Sequence, residues 1–448
     1  MKLASIVLAA GKGTRMKSSL PKVLHQICGQ PMIHFAVQAA QNSGAGKTTV
    51  VIGHGGEKVQ QYLGAGVDYA LQSEQLGTGH AVLSANQAVS NEFDYVLVTN
   101  GDMPLLTEET LRQLVVTQLS NTGPLTLMTM VSDDPMGFGR ILRGCDDSVI
   151  AIVEEVQCTP EQLAIRELNV GAYCFKTKWL WQALQRLPLS PKGEYYLTDV
   201  VGIAVEDGFR VAAITMKDNR EALGINTRVQ LAEAEAFMRK RILEKLMLDG
   251  VTVIDPASTY VEETVKIGMD TILQPNTFLR GDTFIGSDCE IGPNTMITDC
   301  RVGNHCTILS VVMEKAIVED GVDMGPFARL RKGAHLGPGV HLGNFGEVKD
   351  SYLGAGTKMG HFSYIGNATI GKDVNIGAGT ITCNYDGEKK HPTVIGDRVF
   401  IGSDTMLVAP LNIGDDAKTG AGAVVTHDVP AGEVVVGVPA KPIRMKNK

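Results

Sequence analysis

The sequence predicts two architectures in one chain: an α/β domain with a doubly wound, Rossmann-like parallel sheet, then a long helix, then a left-handed parallel β-helix of hexapeptide repeats. Three observations predict it. Short apolar runs alternate with amphipathic stretches through the first half, the pattern of strand and helix in a parallel sheet. Thr227–Leu248 holds no Gly or Pro and is rich in Ala, Glu, Leu, Met and Arg, a helical composition. Beyond residue 250 an aliphatic residue followed by Gly recurs at six-residue steps, which match no helical repeat.

Taken in order, strands are expected at 5–10 (SIVLAA), 48–53 (TTVVIG), 95–102 (YVLVTNGD) and 125–131 (LTLMTMV), with an amphipathic segment at Thr107–Leu119. A sheet of this kind binds its ligand at the carboxyl ends of its strands. In the long helix, Val229, Ala232, Ala236, Ile242, Leu243 and Leu246 form the expected apolar face, and Gly250 stands where a C-cap glycine belongs. These features set boundaries at 1–226 for the first domain, 227–249 for the linker helix and 250–448 for the repeats. The rhythm runs from Ile285-Gly286 and Ile291-Gly292 through Leu342-Gly343 and Ile365-Gly366 to Ile413-Gly414. Each hexapeptide forms one side of a triangular coil, with the aliphatic residue on the axis and Gly permitting the corner. Three hexapeptides per coil allow about ten coils at the usual strand spacing of ~4.8 Å, a prism ~48 Å tall. The polar stretch NYDGEKKHP (384–392) interrupts the count and is expected to project as a loop. Flat faces leave surface to cover, so three prisms side by side, a homotrimer, is the expected assembly.

Composition excludes several classes. Glycine is 50 of 448 residues and aromatics are 5%, while 44% hydrophobic and 20% charged residues exclude a disordered chain. The glycines show no collagen period. A net charge of −8 argues against a nucleic-acid or membrane-surface partner and leaves room for small anions bound by local Lys and Arg. The eight cysteines form no C-x-x-C pair and are read as reduced thiols. With no signal-peptide pattern and no apolar run of membrane length, a cytoplasmic location is expected.

Two phosphate motifs fail on inspection. GAGKTT (44–49) lacks the first Gly of a P-loop, since Gln41 stands there, and Gly11-Lys12-Gly13 lacks the third Gly of a dinucleotide fingerprint, since Met16 stands there. LAAGKGTRM (8–16) followed by Pro21-Lys22 is more informative. Small residues at a strand end admit a flat base, a glycine-rich turn offers N–H groups to phosphates, and Arg15 and Lys22 add positive charge. Asp102 follows the strand YVLVTN, where it either caps a turn or, with substrate phosphate, binds Mg²⁺.

Together with LQSEQLGTGHA (71–81) and NGD (100–102), these motifs resemble the sugar-1-phosphate nucleotidyltransferases. GPFARLR (325–331), HLGNFGEVK (341–349), GHFSYIG (360–366) and VNIGAGTITCNYDG (374–387) extend the likeness along nearly the whole chain to one family. It is that of the bacterial bifunctional N-acetylglucosamine-1-phosphate uridyltransferases/glucosamine-1-phosphate N-acetyltransferases. The resemblance implies two substrate pairs, UTP with N-acetylglucosamine 1-phosphate and acetyl-CoA with glucosamine 1-phosphate, and a role in cell-wall precursor synthesis. It implies that Leu8, Ala9, Ala10, Gly11, Gln72, Gly77 and Thr78 hold the nucleotide and that Lys22 neutralises phosphate. Asn100, Gly101 and Asp102 would line the sugar and metal side, Gly139, Glu154 and Asn169 the sugar ring, and Asn226 in GINTR would be the second Mg²⁺ ligand. In the prism, Arg331, Lys349 and Lys390 would grip the sugar phosphate, Tyr364 and Asn375 would meet the sugar, and Ala378, Asn384, Tyr385, Ser403 and Ala421 would contact acetyl-CoA.

His361 is the implied base. Attack of a free amine on a thioester calls for a base near neutrality, which His supplies, although a lone His at a β-helix corner also reads as a solvent-facing side chain. Arg331 and Lys349 are 18 residues apart, one coil, so both cations would stack on one edge. The chain departs from the family at Val170, where a Thr is usual, at Asn100, where an aromatic is frequent, and at Val438, where some members carry an Arg whose charge Lys441 or Arg444 would replace. Two other readings are a single nucleotidyltransferase with an oligomerising β-helix and an inactive scaffold. A tail serving assembly alone has no need of His361, Lys349 and the NYDG loop, and an inactive head none of Lys22, Asp102 and Asn226 together.

Overall fold

The computed structural model describes residues 2–89, 92–135 and 137–443. The chain divides into two compact units, Met1–Met238 and Arg239–Lys448, so the division falls inside the helix Arg228–Leu248.

Among the described residues, the first unit is built on a nine-stranded sheet whose main path runs Ala212–Thr215, Leu125–Val131, Glu167–Lys176, Tyr95–Asn100, Leu3–Ala9, Lys47–Ile52, Asp68–Leu71. The central strands are continuous apolar runs because helices cover both faces. Leu3–Ala9, for example, pairs in parallel with Lys47–Ile52 on one side and Tyr95–Asn100 on the other. One strand of that path departs from the expected parallel arrangement. Glu167–Lys176 runs antiparallel to both of its neighbours, with a bulge between Asn169 and Tyr173. It also carries the ribbon Arg140–Arg143/Val149–Val153 outward from the sheet. The segment at 107–119 is a helix, Glu108–Ser120, whose first turn is capped by the Thr107 hydroxyl.

The helix Arg228–Leu248 begins at a reciprocal cap: the Gln230 amide donates to Thr227 Oγ1 (3.2 Å), and Gln230 Oε1 accepts from the Thr227 amide (3.1 Å). It ends at Gly250, whose φ of 96° only glycine adopts readily. The expected apolar face is half wrong. Ile242, Leu243 and Leu246 do pack on the β-helix core, but Val229, Ala232 and Ala236 are exposed, and the first half is buried through Ala234 and Met238 instead. A helix whose two halves belong to different units has no single stripe to present.

The second unit is a left-handed β-helix whose three faces, among the described residues, are sheets of twelve, ten and nine strands, parallel except for the closing antiparallel pair Val434–Val436/Lys441–Pro442. Its axis is filled by aliphatic side chains such as Leu279, Ile285, Ile291 and Ile297, all fully buried, each contributing about 1.5–3 kcal/mol. Small acceptors lie at the inner corners: Cys289 N donates to Thr271 Oγ1 (3.2 Å), and Cys306 N to Cys289 Sγ (3.4 Å). Here cysteine does what threonine does one coil earlier. The corner expectation is also corrected. Most glycines after the aliphatic residue, among them Gly286, Gly343, Gly371 and Gly402, have ordinary negative φ, and a Cβ on any of them would meet the backbone or an Asp side chain of the next coil. The left-handed bend comes two residues later, at Asp288, Phe345, Asp373, Gly379 and Asp404. Gly thus permits coil-to-coil approach, and Asp, Asn or Gly more often makes the turn. No helix among the described residues is long and apolar enough to cross a membrane.

Candidate functional site

In the first unit a cavity of ≈ 540 Å³ opens at the carboxyl ends of the central strands, lined by Leu8, Ala9, Ala10, Gly11, Lys22, Gln72, Gly77, Thr78, Asn100, Asp102 and Glu154. A second cavity of ≈ 180 Å³ shares Leu8, Thr78, Asn100 and Glu154 with it and adds Gly139, Asn169, Val170, Gly171 and Thr198. The groups expected on the nucleotide and those expected on the sugar ring therefore line two adjoining chambers. Gly101 supports them from below: its N–H donates to Leu8 O (2.9 Å), and a Cβ there would press on Ile33.

Near the turn that carries it, Lys22 Nζ bonds both the Asp102 carboxylate and Asn226 Oδ1, the latter at 3.0 Å. Asp102 and Asn226 are held together by backbone as well, Ile225 N donating to Asp102 O (2.9 Å). Two oxygens from distant segments thus converge on one cationic point. That donor set is the one Mg²⁺ favours, since the ion completes its shell with substrate phosphate and water. The glycine that matters for Lys22 is Gly13: it has φ 61°, and a Cβ would stand 2.6 Å from Lys22 Cβ. Gly11 has open space around it.

In the smaller cavity, Asn169 sits beside the bulge and donates to the hydroxyl of buried Tyr173 (2.8 Å), whose acidity is suppressed by burial. Glu154 Oε1 accepts from Thr198 Oγ1 (2.9 Å). Val170, in the place of the family Thr, is buried in the core, and Asn100 reaches the carbonyl of Gly171 (3.4 Å). Sequence reasoning missed Gln75, Glu194, Tyr196 and Thr198. Gln75 Nε2 donates to Ala10 O (2.8 Å), and Glu194 and Tyr196 line the larger cavity.

In the second unit, Arg331 and Lys349 do stack one coil apart, Arg331 N donating to Val348 O (2.9 Å) and Lys349 pairing with Gly366 above. Glu347 bonds Arg331 (3.0 Å) and was not anticipated. Lys390, from the exposed loop, meets Lys349. The hydrogen bond and repulsion between them, with Arg331 adding to the field, hold Lys349 below the ordinary ammonium value. The loop is rooted by buried Asn384, which donates to Asn367 Oδ1 (2.7 Å), and is closed by His391 on Asp386 (2.6 Å).

His361 is exposed at the corner before the strand Ser363–Gly366, which carries Tyr364. Asn375 lies on the preceding face, in register with Lys358 and Phe400. The same corner continues upward through Ala378, Ser403 and Ala421. Gly379 N donates to Phe362 O (2.7 Å), Asp404 N to Ala378 O (2.6 Å) and Gly422 N to Ser403 O (2.8 Å). His361 thus stands at the foot of a column of small side chains. Corners of this column bend through a left-handed residue at Phe327, Phe345, Gly379, Asp404 and Gly422, whereas His361 and Phe362 have negative φ. Tyr385 is exposed, its hydroxyl on Gly387 O (2.6 Å). Val438 is exposed and Lys441 lies in the final strand pair; Arg444 falls outside the described residues.

Comparison with known proteins agrees with both halves. Residues 5–155 match the MobA-like NTP transferase domain, and 392–427 the bacterial transferase hexapeptide (six repeats). The chain is 51% identical over 436 residues to a bifunctional protein GlmU of Heliobacterium modesticaldum, covering 97% of this chain and 95% of the relative. Proteins of the same name from Carboxydothermus hydrogenoformans (47% over 429 residues; 96% of each chain) and Streptococcus agalactiae (45% over 434; 97% and 95%) are similar along their length. Two domains of distinct kinds, a cleft at the strand ends of the first, a cation cluster and an exposed His in the second, and identity spanning nearly the full chain lead to one assignment: the chain belongs to the GlmU family of bifunctional uridyltransferase/acetyltransferases.

Proposed function

We propose that acetyl transfer takes place in residues 250–448 and uridyl transfer in 1–226, the first reaction supplying the sugar phosphate used by the second. The observation that carries this reading is that each compact unit holds its own cluster of groups suited to one of the two reactions.

In the prism, the Arg331, Lys349 and Lys390 charges bind the phosphate of glucosamine 1-phosphate, with Tyr364 and Asn375 on the sugar. His361 takes a proton from the 2-amino group as its nitrogen forms a bond to the thioester carbonyl carbon of acetyl-CoA. The C–S bond then breaks and CoA leaves as the thiol. The small side chains of Ala378, Ser403 and Ala421 leave room for the coenzyme to lie along the corner, with Asn384 and Tyr385 beside it. In the N-terminal cleft, the phosphate oxygen of N-acetylglucosamine 1-phosphate attacks the α-phosphorus of UTP in line, and pyrophosphate leaves. Leu8, Ala9, Ala10, Gly11, Gln72, Gly77 and Thr78 seat the nucleotide. Asn100, Gly139, Glu154 and Asn169 orient the sugar, and Lys22 offsets charge on the phosphates. Asp102 and Asn226 would hold Mg²⁺, which supplies electrostatic stabilisation of the phosphate oxygens.

We assign the product, a nucleotide-activated amino sugar, to cell-wall precursor synthesis in the cytoplasm, and the working form to a homotrimer built through the prism. A coupled assay with glucosamine 1-phosphate, acetyl-CoA, UTP and Mg²⁺ tests the order of reactions. Omitting acetyl-CoA should suppress pyrophosphate release, and undiminished release would overturn it.

A further inference from the structure

His25 is buried and lies three residues beyond Lys22, its N–H closing the turn on Lys22 O (3.2 Å). Its ring meets a second segment. Arg228 Nη1 is 3.2 Å from His25 Nδ1, and a guanidinium only donates, so Nδ1 is the acceptor and the ring proton sits on Nε2. Burial, then the Arg228 charge, push His25 below the ordinary imidazole value, which keeps the ring neutral and able to accept. Nε2 is buried with no partner among the described residues. A buried donor without an acceptor is destabilising, so an apolar ring would serve the core better. What imidazole provides is the contact with Arg228.

Arg228 opens the helix Arg228–Leu248 and follows Asn226 by two residues. A second tie runs in parallel: Cys28 N donates to Glu235 Oε2 (2.7 Å), two turns along the same helix. The segment 22–28 is therefore tied to 226–235 at three points, Lys22–Asn226, His25–Arg228 and Cys28–Glu235, and the first of them brings in Lys22, which lines the cavity.

We propose that His25 is a positioning residue for uridyl transfer: by accepting from Arg228 it holds the segment bearing Asn226 against the turn bearing Lys22, and so sets the spacing of the groups around which triphosphate and cation assemble. The inference rests on the roles proposed above for Lys22, Asp102 and Asn226. It assigns no contact between His25 and substrate.

The test uses the full-length protein with His25→Phe, His25→Asn, Arg228→Met and the double variant His25→Phe/Arg228→Met. Phe fills the space without an acceptor, whereas Asn returns an oxygen near the place of Nδ1. Arg228 is exposed, so its loss does not threaten folding. Three quantities are measured: kcat and KM for uridyl transfer, the rate of acetyl transfer, and hydrogen exchange of the unliganded protein across 22–28 and 226–235. His25→Phe and Arg228→Met should each lower uridyl-transfer kcat about 10- to 100-fold, the scale set by a small misplacement of reacting groups. Exchange should rise in those two segments, and acetyl transfer should hold. His25→Asn should recover most of the loss, and the double variant should be no worse than either single one. The proposal is overturned if Asn fares no better than Phe, if Arg228→Met keeps wild-type kcat and exchange, or if exchange rises evenly across the N-terminal sheet. Absence of uridyl transfer in the wild type would instead overturn the underlying reading, while the exchange arm would still report on the brace.

Discussion

Lys349 is a cation held among cations, and that fixes the sign of a pH effect. Its proton is bound less tightly than in an ordinary lysine because Lys390 and Arg331 repel the charged form. As pH rises through this lowered value the ammonium is lost, and with Lys349 in its proposed role the phosphate of the acetyl acceptor would be held less well. KM for glucosamine 1-phosphate should therefore climb from a lower pH than a normal lysine would give. In Lys390→Ala, which removes the neighbouring ammonium that most destabilises the charged form of Lys349, the alkaline limb should move to higher pH even though binding is weaker throughout. A limb that stays in place would mean that Lys349 does not carry it. Gly13 provides a second residue-level test. Its left-handed φ and the 2.6 Å approach of a would-be Cβ to Lys22 predict that Gly13→Ala displaces the lysine and lowers uridyl transfer about 10- to 100-fold. Acetyl-transfer kinetics should be unchanged.

At the scale of elements, the β-helix separates two kinds of glycine. A Cβ on Gly354 would stand 2.5 Å from the Gly371 carbonyl carbon, whereas Gly339 has open space and a φ of 65°. Gly339→Asn should therefore be nearly neutral, since Asn tolerates the left-handed region, while Gly354→Asn should cost about 1–3 kcal/mol or more by overpacking, read from the urea midpoint. Equal costs would contradict this division of roles. The same distinction marks what the sequence reveals. The aliphatic-Gly rhythm announces the prism, because one residue type must recur wherever coils touch, but the bend is shared among Asp, Asn, Gly and even Phe345, which no rhythm reveals. The strands Leu3–Ala9, Lys47–Ile52, Tyr95–Asn100 and Leu125–Val131 are legible as buried apolar runs. Glu167–Lys176 is not, because Asn169 and Gly171 interrupt its pattern at the bulge that also places Asn169 on the cavity. Lys22, Asp102 and Asn226 are legible through local motifs. Glu194, Tyr196 and Thr198 reach the same cavities from a segment far along the chain, where spacing carries no information.

For the whole molecule, the prism predicts a particle of three times the chain mass of 47.9 kDa in analytical ultracentrifugation, and a monomer with full acetyl transfer would contradict the assembly. The central claim is that one chain houses two chemically independent sites. Its most direct test assays both half-reactions on His361→Ala and Asp102→Ala proteins that retain wild-type circular dichroism. His361→Ala should lose at least about 100-fold of acetyl transfer, the usual contribution of a general base, and keep uridyl transfer within about twofold. Asp102→Ala should do the reverse, and equal loss of both activities in either variant would contradict the account.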